Sequence, residues 1–225
     1  MTRTAGAALV LATLALPGSL RAQATHPRSG RTIAPVMGVG GAGWLERDER
    51  EIEEQPEEAL DAIGIRPGMT IADVGAGVGY FTLRLARRLS GSGKVYANEI
   101  QPGMIEKLRK NLEKENIENV ETVLGTETDP KLPAGKIDLV LLVDVYHEFS
   151  QPQKMLGKIR ESLTSAGRLV LLEYRKEDPT VPIRLEHKMS VEEVKREIEP
   201  EGFRLAEVLT SLPRQHILIF RKNLM

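Results

Sequence analysis

The chain has no cysteine and few aromatic residues: among its 225 residues, aromatic side chains make up 4% and tryptophan occurs once. The absence of cysteine excludes disulfide bonds, thiolate zinc sites and a cysteine nucleophile. The formal net charge is only -1, and no basic block is interleaved with aromatic residues. The sequence therefore lacks the features of a nucleic-acid-binding surface, and no nucleic-acid partner is indicated.

No apolar run is long enough to span a bilayer, which takes about 20 residues. The apolar segment Ala5–Leu16 follows Arg3 and precedes Ala22-Gln23-Ala24, which has the small-x-small form of a cleavage site. This pattern predicts a secretory signal peptide over residues 1–24. The protein is then expected to be periplasmic or secreted, without a membrane span after cleavage. The alternatives are an uncleaved interfacial anchor and a mis-assigned start codon, and the protein would be cytoplasmic if the signal is not functional.

Residues 25–64 are expected to form an N-terminal arm followed by helices, and residues 65–225 a single larger domain. The arm, Thr25–Gly43, is rich in Gly, Pro, Arg and Ser and shows no sustained periodicity. Trp44 follows it. Two interpretations stay open: a leader whose tryptophan packs on the domain, or a flap that closes over a ligand. Pro56 is expected to begin a second helix, since proline suits a first helical turn.

From Thr70 onward, strand and helix patterns alternate, which predicts a doubly wound α/β fold. The predicted strands are Thr70–Val74, Lys94–Glu99, Val120–Leu124, Ile137–Val143, Arg168–Glu173, Phe203–Leu209 and His216–Arg221. The predicted helices between them are Tyr80–Leu89, Pro102–Glu115, Gln151–Leu163 and Val191–Glu199. The link Thr210–Gln215 is too short for a helical crossover, so the last two strands are expected to pair antiparallel.

The glycine-rich turn after the first strand is the strongest functional signal. Its three glycines are Gly75, Gly77 and Gly79, and they have the spacing G-x-G-x-G. A dinucleotide site has G-x-G-x-x-G and places a pyrophosphate there, which the carboxylate of Asp73 would repel. A ligand with a sulfonium and an ammonium group would be attracted instead. Glu99 suits both ribose hydroxyls, but dinucleotide folds use an acid there too.

Together with Glu99, the segment Gly125–Thr128, Asp144 and the terminal strand pair, this turn resembles the class I S-adenosylmethionine-dependent methyltransferases, in particular the small type related to the ubiquinone/menaquinone methyltransferases. The resemblance covers about Glu58–Lys222. It implies a Rossmann-like, seven-stranded sheet in the order 3-2-1-4-5-7-6 with the last strand antiparallel, and S-adenosylmethionine as cofactor. The cofactor-binding residues that it implies are Asp73, Gly75, Ala76, Gly77, Gly79, Glu99, Ile100, Thr126, Glu127 and Asp144.

Candidate catalytic residues follow the fourth and fifth strands. His147 can accept a proton near neutral pH, Asp144 ends the fourth strand, and Tyr174 follows the fifth. The structural alternatives are that His147 and Glu148 cap the next helix and that Tyr174 covers the sheet edge. No metal site is predicted, because no further ligands stand at a recognised spacing from His147 and Glu148.

The sequence thus predicts a methyltransferase that acts on a small-molecule or protein acceptor by in-line displacement. Two alternatives remain at this stage: a nicotinamide-dependent oxidoreductase, and a non-catalytic module that binds S-adenosylmethionine. The acceptor and the oligomeric state are left open.

Overall fold

The computed structural model describes residues 24–89 and 91–223. Apart from Ala24, the predicted signal peptide lies outside the described residues. Within the described part, no helix combines the length and the apolar character that a bilayer crossing needs.

Eight strands form one sheet. They are β1 (Thr70–Val74), β2 (Lys94–Glu99), β3 (Val120–Leu124), β4 (Ile137–Val143), β5 (Leu163–Arg175), β6 (Lys188–Met189), β7 (Phe203–Leu209) and β8 (Gln215–Lys222). The order is β3-β2-β1-β4-β5-β8-β7, and β6 pairs with β5. Strand β8 runs antiparallel to both of its neighbours, β5 and β7, and the other strand pairs are parallel. The predicted order and the antiparallel end are confirmed, with β8 and β7 as the seventh and sixth predicted strands.

The count of seven strands is corrected to eight. The additional strand, β6, is only two residues long and runs parallel to the end of β5. A pair of residues is too short to show an alternating pattern, so periodicity cannot find it. Strand β5 is also longer at both ends than predicted.

Seven α-helices occur in the described residues: α1 (Ala42–Leu45), α2 (Arg50–Glu54), α3 (Pro56–Ile63), α4 (Tyr80–Arg88), α5 (Pro102–Lys114), α6 (Pro152–Ser162) and α7 (Val191–Ile198). Pro56 is the first residue of α3, as expected, because its missing N–H has no partner to lose there. Ser190 and Glu193 form a capping box at the start of α7.

Strand β4 shows how the two layers of the core are built. Val140 and Leu142 pack on one face of the sheet, in a cluster with side chains of α6 and α7. Leu139 and Leu141 pack on the other face, with side chains of α3 and α4. All four are fully buried, which accounts for the continuous apolar run in this strand.

The N-terminal arm packs on the domain. Ala42 is buried against Val78 and Met104, so the segment before Trp44 is anchored to the glycine turn and to α5. Trp44 itself remains 53% exposed, with the guanidinium of Arg47 at 3.8 Å from its ring centroid. The arm therefore packs on the domain, but the tryptophan that the first interpretation places against the domain lies at the surface.

Candidate functional site

A cavity of about 630 Å³ opens at the carboxyl ends of the parallel strands. The residues that follow β1, β2, β4 and β5 line its floor, and Val36, Met37 and Trp44 from the arm region line its opposite side. This location is where open α/β sheets bind ligands, and the volume falls within the range of about 300–1,000 Å³ for small-molecule sites.

The glycine turn adopts a backbone that other residues resist. Gly75, Gly77 and Gly79 have φ values of 78°, 54° and 99°. A Cβ on Gly75 would lie 2.4 Å from Cγ2 of Val145, and one on Gly77 would lie 2.9 Å from Cδ1 of Leu45. The chain therefore needs glycine here both for conformation and for space.

Glu99 is fixed at the end of β2 by three backbone N–H groups. Its Oε2 accepts from Gly77 at 3.1 Å, and its Oε1 accepts from Ile100 and Gln101 at 2.8 and 2.9 Å. The side chain lines the cavity and is only 6% exposed. A carboxylate held in this way is oriented before a ligand arrives.

Asp73 lies behind the glycine turn, beside a small recess next to the main cavity. Its Oδ2 accepts a hydrogen bond from the Thr82 hydroxyl at 2.6 Å. Burial raises the pKa of Asp73 to about 6, and the hydrogen bond from Thr82 opposes that shift. The same recess is lined by Arg50 and Gly77. A carboxylate and a guanidinium thus flank the end of the site nearest α4.

Asp144 follows β4 in a left-handed conformation, with φ of 50°. The side-chain amide of Gln215 on β8 donates to its Oδ2 at 2.7 Å, whereas its buried Oδ1 has no hydrogen-bond partner among the described residues. Burial raises the pKa of Asp144 well above its ordinary value, and the negative charges of Glu54 and Glu173 add to the shift. An oxygen buried without a partner marks a place where a ligand can donate.

His147 is buried at the end of a polar chain. Its Nδ1 lies 2.7 Å from Oε2 of Glu173, which is completely buried on β5. Its Nε2 lies 3.1 Å from Nδ1 of His187. With the Glu173 carboxylate as acceptor, Nδ1 carries the proton, and in the neutral ring the lone pair of Nε2 faces Nδ1 of His187. Glu148, next along the chain, lines the same cavity, and burial raises its pKa to about 7.

Tyr174 lines the cavity with its hydroxyl turned toward α2. The hydroxyl donates to Oε1 of Glu54 at 3.1 Å, and Glu54 also receives two hydrogen bonds from Arg50, each of 2.8 Å. Burial raises the pKa of Tyr174, and the negative charges of Asp144 and Glu54 raise it further. The hydroxyl therefore stays protonated and acts as a donor.

The remaining predicted residues are not all in the main cavity. Ile100 and Glu127 line it, and Glu127 accepts a hydrogen bond from Ser150 at 2.8 Å. Ala76 lines the small recess with Asp73. Gly79 and Thr126 line neither space, and Thr126 is exposed in a short turn with Asp129.

Several residues of the site were not found from the sequence. They are Arg50, Glu54, Glu173, His187 and Gln215, and all but Arg50 form a hydrogen bond with a predicted residue from a distant segment. Glu173 had one available signal, a charged residue inside the apolar run of β5, since a buried carboxylate needs a partner.

These residues suit S-adenosylmethionine better than a dinucleotide. Asp73 and Asp144 place negative charge at the glycine turn, which favours a sulfonium and an ammonium and disfavours a pyrophosphate. The unpartnered Oδ1 of Asp144 can accept from an ammonium, and Glu99 can accept from ribose hydroxyls. Arg50 supplies a cation at the same end, where the carboxylate of the methionine moiety would lie.

Comparison with known proteins agrees with this fit. The profile of a family described as a methyltransferase domain matches residues 65–211. The chain is 30% identical over 111 residues to a protein-L-isoaspartate O-methyltransferase of Methanothrix thermoacetophila, an alignment that covers 49% of this chain and 50% of that protein. It is 29% identical over 119 residues to a ubiquinone/menaquinone biosynthesis C-methyltransferase of Hydrogenovibrio crunogenus, covering 52% and 47%.

The chain thus spans about half the length of the curated relatives that it matches. The fold is shared more widely. The crystal structure of a SAM-dependent methyltransferase from Aquifex aeolicus superimposes with a TM-score of 0.78 at 25% identity, covering 82% of this chain and 98% of that one.

The family profile covers more than half of the chain and includes the glycine turn, Glu99, Asp144 and His147. These findings favour neither the nicotinamide-dependent oxidoreductase nor the non-catalytic module. The chain belongs to the class I S-adenosylmethionine-dependent methyltransferases.

Proposed function

We propose that this chain transfers the methyl group of S-adenosylmethionine to a small molecule bound in the same cavity. The observation that carries the proposal is that one cavity contains both Glu99 with the glycine turn and His147 with its buried partner Glu173. The arm residues Val36 and Met37 line this cavity, as do Pro182, Ile183, Arg184 and His187. A cavity of this volume favours a small acceptor over a protein chain, although one of the matched relatives is named for a protein substrate.

In this proposal the cofactor-binding residues are those of the ten predicted ones that line the cavity or the recess, with Arg50 added. Glu99 holds the ribose, and Asp73, Asp144 and Arg50 surround the methionine end. The bound cofactor supplies an electrophilic methyl group. The residues of the chain align the acceptor with that group, an effect that can contribute about 7–11 kcal/mol.

His147 is proposed as the proton acceptor. As the acceptor atom forms its bond to the methyl carbon, the bond from that carbon to sulfur breaks and S-adenosylhomocysteine leaves. The proton of the acceptor passes to Nε2 of His147, while Glu173 keeps Nδ1 protonated and the ring oriented. Asp144 lies between cofactor and acceptor, and Tyr174 acts as a hydrogen-bond donor at the wall of the site.

The cofactor step is tested by isothermal titration of the chain with S-adenosylmethionine, S-adenosylhomocysteine and NAD. Glu99→Gln should weaken binding of the first two about 10- to 100-fold, because a charge-assisted hydrogen bond to a carboxylate contributes about 1.5–3 kcal/mol. The matched control is Glu121→Gln, which changes an exposed carboxylate on β3 that pairs with Lys94. Binding of NAD but not of S-adenosylmethionine would contradict the proposal.

The transfer step is tested with S-adenosylmethionine labelled in its methyl group, incubated with small-molecule extracts and, separately, with protein extracts. Label should appear in the small-molecule fraction, and His147→Gln should abolish it without changing cofactor affinity. Label only in protein would show that the acceptor class is wrong.

We also propose that residues 1–24 are a leader, 25–64 the arm with its helices, and 65–225 the catalytic domain. The leader would direct the chain to the periplasm or the exterior. Amino-terminal sequencing of the chain from each cell fraction tests this assignment, with a mature start at Thr25 expected outside the cytoplasm.

A further inference from the structure

His147, Glu148 and His187 converge from two separate segments of the chain. One donor atom from each lies within 4.8 Å of those of the other two. His147 and Glu148 belong to the 3₁₀ turn Tyr146–Glu148 after β4, and His187 ends the 3₁₀ turn Leu185–His187 just before β6. The pairing of β6 with the end of β5 brings the second turn to the first. All three side chains line the cavity, at the side proposed above to hold the acceptor.

We propose that these three residues form a binding site for a divalent transition metal of the zinc class. Nε2 of His147 and Nδ1 of His187 lie 3.1 Å apart. Two imidazole nitrogens bound to one tetrahedral zinc ion at about 2.0–2.1 Å would lie about 3.3 Å apart. The two rings are nearly perpendicular, at 87°, with their centroids 5.1 Å apart.

The surroundings of His147 fit a ligand role. Histidines that bind metals usually donate their other ring N–H to a carboxylate, which fixes the tautomer and orients the ring. Glu173 does this for His147 at 2.7 Å, and it is itself held by the backbone N–H of Tyr146 at 3.0 Å. This arrangement leaves Nε2 as the coordinating atom and points it at His187.

The donor set selects the metal class. Two imidazole nitrogens and one carboxylate suit zinc, cobalt, iron or manganese, whereas calcium and magnesium prefer oxygen ligands alone. Three protein ligands also leave at least one coordination position free, as in catalytic zinc sites. Here that position would face the acceptor side of the cavity.

The role of the metal rests on the proposed function, but its binding does not. A metal at this position would bind the oxygen or nitrogen of the acceptor and lower its pKa, so that the acceptor loses its proton to water before it attacks the methyl carbon. In the metal-loaded chain His147 would serve as a ligand, and the proton transfer to its Nε2 described above applies to the chain without metal.

The test is metal binding by the full chain, without an affinity tag and stripped by a chelator. Zn²⁺ is titrated by calorimetry, and Co²⁺ is titrated by visible absorption, which reports coordination geometry. We expect one ion per chain and a tetrahedral or five-coordinate cobalt spectrum. His187→Ala and Glu148→Gln should each weaken binding about 100-fold, and Glu173→Gln, which removes the outer carboxylate, about 10- to 100-fold.

Glu121→Gln is the matched control, because Glu121 is an exposed carboxylate on β3 that pairs with Lys94 and lies outside the triad and the cavity lining. It should leave metal binding unchanged. S-adenosylmethionine is titrated into every variant to show that the fold is intact. Equal Zn²⁺ affinity in His187→Ala and the unchanged chain, or a purely octahedral cobalt spectrum, would overturn the inference. Metal binding by a chain that does not bind S-adenosylmethionine would support the metal site and refute the proposed function.

Discussion

Arg31 of the N-terminal arm holds the backbone of His147 in place. Its Nη1 donates to the carbonyl oxygen of His147 at 2.9 Å, and the N–H of Ala34 donates to the same oxygen at 3.1 Å. The other side of the guanidinium forms two hydrogen bonds of 3.1 Å to Glu197 on α7. Arg31 is 7% exposed and Glu197 is completely buried. The arm therefore helps to hold the turn that contains His147.

Replacement of this arginine should destabilise the chain. Arg31→Met leaves the buried carboxylate of Glu197 without its strongest partner, which typically costs about 3–5 kcal/mol. Arg31→Met combined with Glu197→Met should regain most of that loss, because no charge then remains unpaired. Chemical denaturation measures the free energy of unfolding of the single and the double variant. A loss below about 1 kcal/mol in Arg31→Met would show that the Arg31–Glu197 pair contributes little.

Arg28→Ala is the control for this experiment. Arg28 also belongs to the arm and pairs with Glu201, but its side chain is 42% exposed. A surface ion pair contributes about 0–1 kcal/mol, so the effect should be small.

Two glycine substitutions should change stability in opposite directions. Gly75→Ala places a Cβ 2.4 Å from Val145 and forces a left-handed alanine, so it should destabilise the chain and abolish cofactor binding. Gly157→Ala lies in α6 with no atom within 4 Å of the new Cβ, and it should stabilise by about 0.5–1 kcal/mol. Thermal unfolding with and without S-adenosylmethionine measures both, and Gly75→Ala that still binds would refute the steric argument.

The affinity for S-adenosylmethionine should fall as the pH drops below about 6. Burial raises the pKa of Asp73 to about 6, so its carboxylate is charged above that pH and neutral below it. The neutral form no longer attracts the sulfonium and ammonium. Calorimetric titration from pH 5 to 8 tests this, with S-adenosylhomocysteine, which lacks the sulfonium charge, as the comparison. Equal pH dependence for both ligands would argue against a contact to the sulfonium.

Asp73→Asn should stabilise the chain in the absence of ligand. An acid whose folded pKa lies above its unfolded value of about 3.9 binds more protons when folded, so its contribution to stability falls as the pH rises from about 4 to 6. Asparagine does not ionise, so it removes this loss of stability, which corresponds to about 3 kcal/mol at pH 7. The gain should vanish below pH 4. An unfolding free energy lower than that of the unchanged chain at pH 7 would contradict this account of Asp73.

Tyr174 and His147 should differ in their effect on methyl transfer. Tyr174→Phe removes one hydrogen bond to Glu54 and should lower the rate about tenfold or less. His147→Gln removes the proposed proton acceptor and should lower it by about 10²–10⁴. The measurement is the single-turnover rate with labelled cofactor. A larger loss for Tyr174→Phe would place the proton transfer at the tyrosine.

The elements of this fold were predictable because their signals are local. The strands Thr70–Val74 and Ile137–Val143 have the bounds predicted for them, because each is mostly apolar, as expected in a sheet that is buried on both faces. The turn from Asp73 to Gly79 and the position of Glu99 depend on short spacings, which the sequence displays. The two-residue strand β6 was missed, because two residues carry no period.

What the sequence determined by itself is the main strands and helices of the domain, their order along the chain, and the glycine turn with Glu99 at the end of the next strand. What only the tertiary structure decided is the surroundings of His147. Three side chains that contact this residue belong to Arg31, Glu173 and His187, which lie 116, 26 and 40 residues away in the sequence. The register that pairs Val143 with Leu172 places Glu173 beside this turn, and the pairing of Tyr174 with Lys188 brings in His187. Strand register and arm docking depend on packing between distant segments, and no local pattern encodes them.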